Sequence, residues 1–300
     1  MSHSKIASLA EPWLLLPFIY SHGHHAMISE YAHQGAMKAM NDFINNLPNK
    51  EKDFNESLSS FVSDLYEKQC RNGEIYFLDK TPRYHLIIKE ISELFPDAKF
   101  IFLFRNPLHV ISSIIETFCD GKLYGLFRYN IDIADGVSNL AKGYDLLKER
   151  SIALNYEDLV MDPKRTIKDV CNYLELDFEP EMLQNFSKQD TKGKMGDPTG
   201  TKLYKNIQTT SLDKWKSTFN TQYRKKIIKN YIENINENDL STIGFNKGDL
   251  LNELDMTKST KPFKVKDFVH VTVGKYILKY NLNILGGSKT SKITKGRYMS

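Results

Sequence analysis

The segment KFIFLFRNPLHVISS, residues 99–113, runs six mostly apolar, β-forming residues straight into Arg105, Asn106 and Pro107. With a strand ending at Phe104, Asn106 is placed to cap a helix and Pro107 to fill its first turn. Unpaired backbone N–H groups and the positive helix end then lie beside Arg105. A guanidinium offers paired donors to a phosphate, and Ser113, eight positions past the arginine, adds a hydroxyl if it faces the strand end. Anion binding is the chemistry this pattern suits. An arginine paired with a nearby carboxylate, its serines facing solvent, would leave the same spacing, so the residues alone keep both readings open.

Positioning such a group requires a particular succession of elements. HAMISEYAHQGAMKAMNDFINNL and FNESLSSFVSDLYEKQC read as helices, IYFLDK as a short strand before Pro82, and HLIIKEISELF as a helix stopped by Pro96. KFIFLF, continuously apolar, reads as a strand buried on both faces of a parallel sheet. A helix from Pro107, another near GVSNLAKGYDLLKER and a third strand, SIALNY, follow. DPKRTIKDVCNYLEL is a well-signalled helix, with Asp162 as cap and Pro163 in its first position. Strands and helices alternating in this way predict an α/β fold with helices on both faces of a parallel sheet. Functional residues in such sheets lie at the carboxyl ends of the strands, where Lys80, Arg105 and Tyr156 all fall. From about residue 188, KQDTKGKMGDPTGTKLYKN reads as a long loop, and the residues after 255 form a lysine-rich tail without an assigned role.

Composition narrows the classes. Three hundred residues, 41% hydrophobic and 26% charged, suit one large or two small globular domains. A formal charge of +4 is compatible with an anionic ligand and far from the bias of a nucleic-acid binder. Cys70, Cys119 and Cys171 are widely spaced and form no CxxC pair, so neither a disulfide framework nor a zinc site is expected, and a reducing, cytoplasmic compartment fits. PWLLLPFIY is too short to span a bilayer and carries two prolines. His22, His24 and His25 in SHGHH have no matching carboxylate or cysteine spacing for a metal. GGSKT near residue 288 lacks the spacing of a Walker loop. The methionines of HAMISEYAHQGAMKAM are explained by core packing.

FLDKTPRYHLIIKEISELFPDAKFIFLFRNPLHVISSI, followed by LNYEDLVMDPKRTIKDVCNYLEL, resembles the sulfotransferase family, from about Ser8 to Lys229. The resemblance implies a three-layer α/β fold with a central parallel sheet, akin to P-loop NTPases, and 3′-phosphoadenosine 5′-phosphosulfate (PAPS) as sulfuryl donor, with no metal. In that family the R-x-P-x(5)-S pattern holds the cofactor's 3′-phosphate, which falls here on Arg105 and Ser113. Tyr156, in YED, falls near the adenine. SLDKWKSTF resembles a segment that covers the nucleotide, with Lys202 and Lys205 in the preceding loop as phosphate contacts. Lys80, in DKTPR, matches the lysine that approaches the transferred group, and Glu11, in EPWLLLP, aligns with an acidic general base.

The resemblance also carries expectations about organisation and acceptor. Family members open with a strand, a P-R-S-G-T-[TS] loop that holds the 5′-phosphosulfate, and a helix. SHSKIASLAEPW aligns immediately after that helix, so the first strand-loop-helix unit is expected to be missing, either from a chain started too late or from a degenerate, inactive nucleotide-binding remnant. Residues 1–255 would form the sulfotransferase domain and 256–300 a basic extension. The acceptor expected is a hydroxyl of a carbohydrate or glycan precursor, with no nucleic-acid partner.

Overall fold

The computed structural model describes residues 2–23, 31–184 and 212–280. They fall into two compact units: residues 2–99 with 176–184, and residues 100–175 with 212–280.

The first unit begins with β1 (Ile6–Ser8), followed by α1 (Leu15–His22), α2 (His33–Asn45) and α3 (Glu51–Glu67). Strand β2 (Tyr76–Leu78), a 3-10 turn over Pro82–Leu86 and α4 (Ile88–Leu94) complete its main elements. β1 and β2 pair in parallel, Ile6 opposite Tyr76 and Ser8 opposite Leu78. Parallel pairing requires a long crossover, which the three helices supply. The apolar faces of α1, α3 and α4 meet in a core of Leu15, Leu16, Ile19, Leu58, Val62 and Leu94, with Ile87 just before α4.

The second unit begins with β3 (Phe100–Phe104) and α5 (Pro107–Thr117), then a 3-10 turn over Leu123–Tyr129, α6 (Asn130–Ala134) and α7 (Gly136–Leu147). β4 (Ser151–Asn155) leads into α8 (Tyr156–Met161) and α9 (Pro163–Leu174). Five helices follow: α10 (Lys214–Thr218), α11 (Gln222–Asn234), α12 (Glu237–Thr242), α13 (Lys247–Met256) and α14 (Val265–Lys279). β3 and β4 are parallel and in register from Phe100 opposite Ser151 to Phe104 opposite Asn155.

The α/β class and parallel strands agree with the sequence reading, and the described strands pair as two two-stranded ribbons. One expectation about KFIFLF is corrected. Phe102 and Phe104 are buried against Tyr144 of α7, at ring separations of 5.6 and 5.7 Å, whereas Ile101 and Leu103 are 37% and 48% exposed. The pleat sends alternate side chains to opposite faces. Because every position in this strand is apolar, the sequence pattern does not reveal that only one face is covered. α14 is a second departure, since a 15-residue helix stands where the sequence gives only a weakly patterned tail.

Candidate active site

Arg105 follows the last residue of β3, and the turn after it is built as the residue types dictate. The Asn106 side chain accepts the Leu108 N–H at 2.8 Å and Pro107 opens α5. Tyr156 lies at the equivalent place after β4, where it opens α8. Because β3 and β4 are parallel neighbours in register, the two residues emerge side by side. The Arg105 guanidinium lies over the Tyr156 ring, with Cζ 4.1 Å from its centroid. Among the described residues its buried Nε–H has no hydrogen-bond acceptor and Arg105 makes no ion pair. This disfavours the reading in which a nearby carboxylate accounts for the arginine. Ser113, half-buried on α5, makes no hydrogen bond among the described residues.

Glu157, the residue after Tyr156, locks this arrangement. One of its carboxylate oxygens accepts the Asn106 backbone N–H at 3.1 Å and lies 3.0 Å from His109 Nδ1. Burial alone would raise this carboxyl, but the interactions with His109 and the Asn106 N–H outweigh it and hold the group below its ordinary value. The His109 ring stacks on the buried Trp215 of α10 with centroids 6.0 Å apart. SLDKWKSTF therefore contributes a core tryptophan that backs the start of α5. Ser112, next to Ser113, is committed elsewhere: its hydroxyl donates to Thr218 Oγ1 at 2.9 Å.

Lys80 and Glu11 belong to the first unit, and the structure brings them together. Lys80 Nζ lies 2.7 Å from Glu11 Oε1, and the Trp13 indole N–H donates to Glu11 Oε2 at 3.2 Å. The glutamate is largely buried, whereas the lysine side chain is 48% exposed. Asp79 fixes the loop that carries Lys80. It accepts from Tyr66 Oη at 2.5 Å, Tyr84 Oη at 2.9 Å and Thr81 Oγ1 at 2.9 Å. Burial and the nearby Asp79 carboxylate push both phenols well above their ordinary range, so they remain donors. Thr81 Oγ1 in turn accepts the Trp13 N–H at 3.1 Å, and Tyr84 Oη accepts the Leu15 N–H at 3.1 Å. Trp13 adopts φ +54°, a left-handed conformation costing a bulky residue about 1–3 kcal/mol, which these bonds sustain.

Of the seven residues singled out in the sequence, the structure thus brings together two pairs, Arg105 with Tyr156 and Lys80 with Glu11, while Ser113 lies on α5, eight residues past Arg105, with no hydrogen bond to either. Lys202 and Lys205 lie outside the described residues, as do His24 and His25. His22 packs edge-on against Phe54, and among the described residues no group of His, Cys, Asp and Glu could hold a metal ion. Sequence reasoning missed Glu157 and Asp79, although each adjoins a residue it chose. An acidic side chain beside a chosen strand-end residue was the available signal.

A sequence profile described as the sulfotransferase family matches residues 1–180. The "Putative protein-tyrosine sulfotransferase" of Caenorhabditis elegans is 24% identical over 222 residues, covering 67% of this chain and 83% of that protein. The omega-hydroxy-beta-dihydromenaquinone-9 sulfotransferase Stf3 of Mycobacterium bovis is 30% identical over 144 residues, covering 44% of this chain and 36% of that protein. Among solved structures, the sulfotransferase domain from the curacin biosynthetic pathway superposes with a TM-score of 0.50 at 26% identity, covering 72% of this chain and 83% of that domain. With more than half of its length matched by the family profile, and with a solved sulfotransferase domain sharing its fold, the chain belongs to the sulfotransferase family.

Proposed function

We propose that this protein transfers a sulfuryl group from PAPS to an acceptor hydroxyl. The observation that carries this reading is the Arg105 guanidinium, stacked on Tyr156 at a strand end with a buried donor awaiting an acceptor. That donor suits an anion. Arg105 and Ser113 would hold the 3′-phosphate, Tyr156 would lie near the adenine, and Lys202 and Lys205 would add phosphate contacts.

Bound PAPS supplies the sulfuryl group and is released as the desulfated nucleotide. The chain's own part is to place charge and move one proton. Lys80 stabilises charge on the oxygens of the transferred group, and Glu11 takes the proton from the acceptor hydroxyl. Both Glu11 oxygens are engaged in the structure, one by Lys80 and one by Trp13. When Lys80 turns to the sulfuryl oxygens, Glu11 Oε1 becomes free to accept that proton. The ion pair therefore couples the base to occupation of the donor site. A reducing, cytoplasmic setting is read from the number and wide spacing of Cys70, Cys119 and Cys171 in the sequence.

The acceptor reading shifts with the comparisons. The relatives are named for a protein tyrosine and for the hydroxyl of a menaquinone derivative, and neither name supports a glycan. The hydroxyl is therefore read as that of a tyrosine or lipid-like alcohol ahead of a carbohydrate. The test is transfer of radiolabelled sulfate from PAPS to a tyrosine peptide, a hydroxylated isoprenoid and an oligosaccharide. Label on one of the first two is expected, and label on the oligosaccharide alone would restore the glycan reading. Nucleotide binding without transfer to any of them would favour a non-catalytic binding protein.

A further inference from the structure

Helix α14 is apolar on two sides. One side packs on the 3-10 turn over Leu123–Tyr129, where Gly274 lies so close to Phe127 that an added Cβ would stand 3.5 Å from the Phe127 Cβ. The buried Asp267 pins the same side, accepting from Arg224 Nε at 2.8 Å and Nη2 at 3.1 Å. Among the described residues no element covers the other side, apart from Tyr223 of α11, whose ring lies 6.1 Å from that of Phe268. Val265, Phe268, Val269, Val273, Tyr276 and Tyr280 are all exposed, from 39% at Val273 to 68% at Val265. At about 100° per residue these positions form one stripe roughly 140° wide.

Charge selects the occupant of that stripe. Exposed Lys275 flanks it on one edge and exposed Lys266 on the other, exposed Lys279 stands within it at the last turn, and exposed Lys264 comes just before the helix. The one carboxylate in the helix, Asp267, is consumed by Arg224 inside the protein, and the sequence holds no Asp or Glu after it. The surface is therefore apolar, aromatic and of a single sign of charge. No helix among the described residues is long and apolar enough to cross a membrane. A helix with valines and tyrosines on its outer face and lysines at the margins suits the boundary between headgroups and acyl chains.

We propose that α14 is an interfacial helix that seats this protein on an anionic phospholipid surface. Its exposed stripe enters the headgroup boundary while the lysines pair with lipid phosphates and carboxylates. Cytoplasmic membrane leaflets present such a surface. The proposal does not depend on the catalytic reading, because every residue it uses lies in α14 or at its margins.

The experiment is cosedimentation of the full chain with vesicles of phosphatidylcholine, with and without phosphatidylserine. Binding is expected only with phosphatidylserine present, and it should weaken as salt is added. Removing both charges in Lys275→Ala/Lys279→Ala should weaken it by roughly ten-fold or more. Val269→Ser/Tyr276→Ser should weaken it comparably, with thermal unfolding unchanged because both side chains face outward. Equal binding to the two vesicle types would overturn the proposal, as would variants that bind like the wild type. So would failure to bind vesicles coupled to a dimer that Val269→Ser/Tyr276→Ser dissociates, since that result assigns the stripe to a second copy of the chain.

Discussion

Arg105 lies over the ring of Tyr156 at 4.1 Å while its Nε–H finds no acceptor among the described residues. A stacked guanidinium keeps its in-plane donors available, because the ring face competes for its charge and not for its hydrogens. An arginine in this state is oriented ahead of binding.

Losing that arginine should therefore weaken nucleotide binding strongly. Arg105→Ala is expected to cost about 1.5–3 kcal/mol in affinity for 3′-phosphoadenosine 5′-phosphate, read by isothermal titration. Arg105→Lys should recover little of it, since an ammonium supplies neither the planar stack nor the paired donors. Affinity unchanged in Arg105→Ala would remove the residue from the phosphate site.

Lys80 and Glu11 should separate chemistry from binding. Lys80→Ala and Glu11→Gln are expected to lower turnover by ~100-fold or more, with affinity for the desulfated nucleotide within a few-fold of wild type. Turnover within a factor of about two of wild type in either variant would strike that residue from the catalytic pair.

Glu157 gives a pH signature. Its carboxyl is held below the ordinary value of 4.5 in the folded protein, so its stabilising contribution is fully present above that value and lost as pH falls through the folded one. Glu157→Gln should lower stability by on the order of 1–3 kcal/mol near neutral pH. The gap between the two melting temperatures should close as the pH falls below 4.5 and through the lowered value of the folded protein. A gap that persists in acid would mean that the glutamate acts through packing instead.

The cysteines predict a labelling pattern. Burial pushes the Cys119 thiol up to about 11, leaving roughly one thiolate in a thousand at pH 8, and Cys171 is also buried. Iodoacetamide should modify neither in the native protein and should reach the half-buried Cys70 first. Intact-mass spectrometry before and after denaturation provides the check, and early loss of the Cys119 thiol would show that α5 opens readily at its end.

Much of this arrangement was legible in local signals. The Asn106 and Asp162 caps, the prolines after them and the strand-end placement of Lys80, Arg105 and Tyr156 are consequences of residue type over a few positions. The partners of those residues were not legible. That Glu11 meets Lys80, or that Glu157 reaches Asn106, depends on contacts 69 and 51 residues apart in sequence. The bare face of β3 was hidden because apolar residues occupy both sides of the strand. Helix α14 was hidden because both of its faces are apolar, one toward the protein and one away from it, and two apolar faces leave no amphipathic period to detect.

The Arg224–Asp267 pair has a consequence for the order in which the chain can finish folding. Arg224 is buried in α11, where it also donates to the carbonyls of Gly121 and Thr218, and its counter-charge comes 43 residues later. A nascent chain that has made α11 but not Asp267 must either leave the arginine in water or bury it unpaired, at about 3–5 kcal/mol. The second unit therefore closes only after α14 has emerged from the ribosome. A ribosome stalled between these two positions would display a unit whose last helices remain open to chaperones.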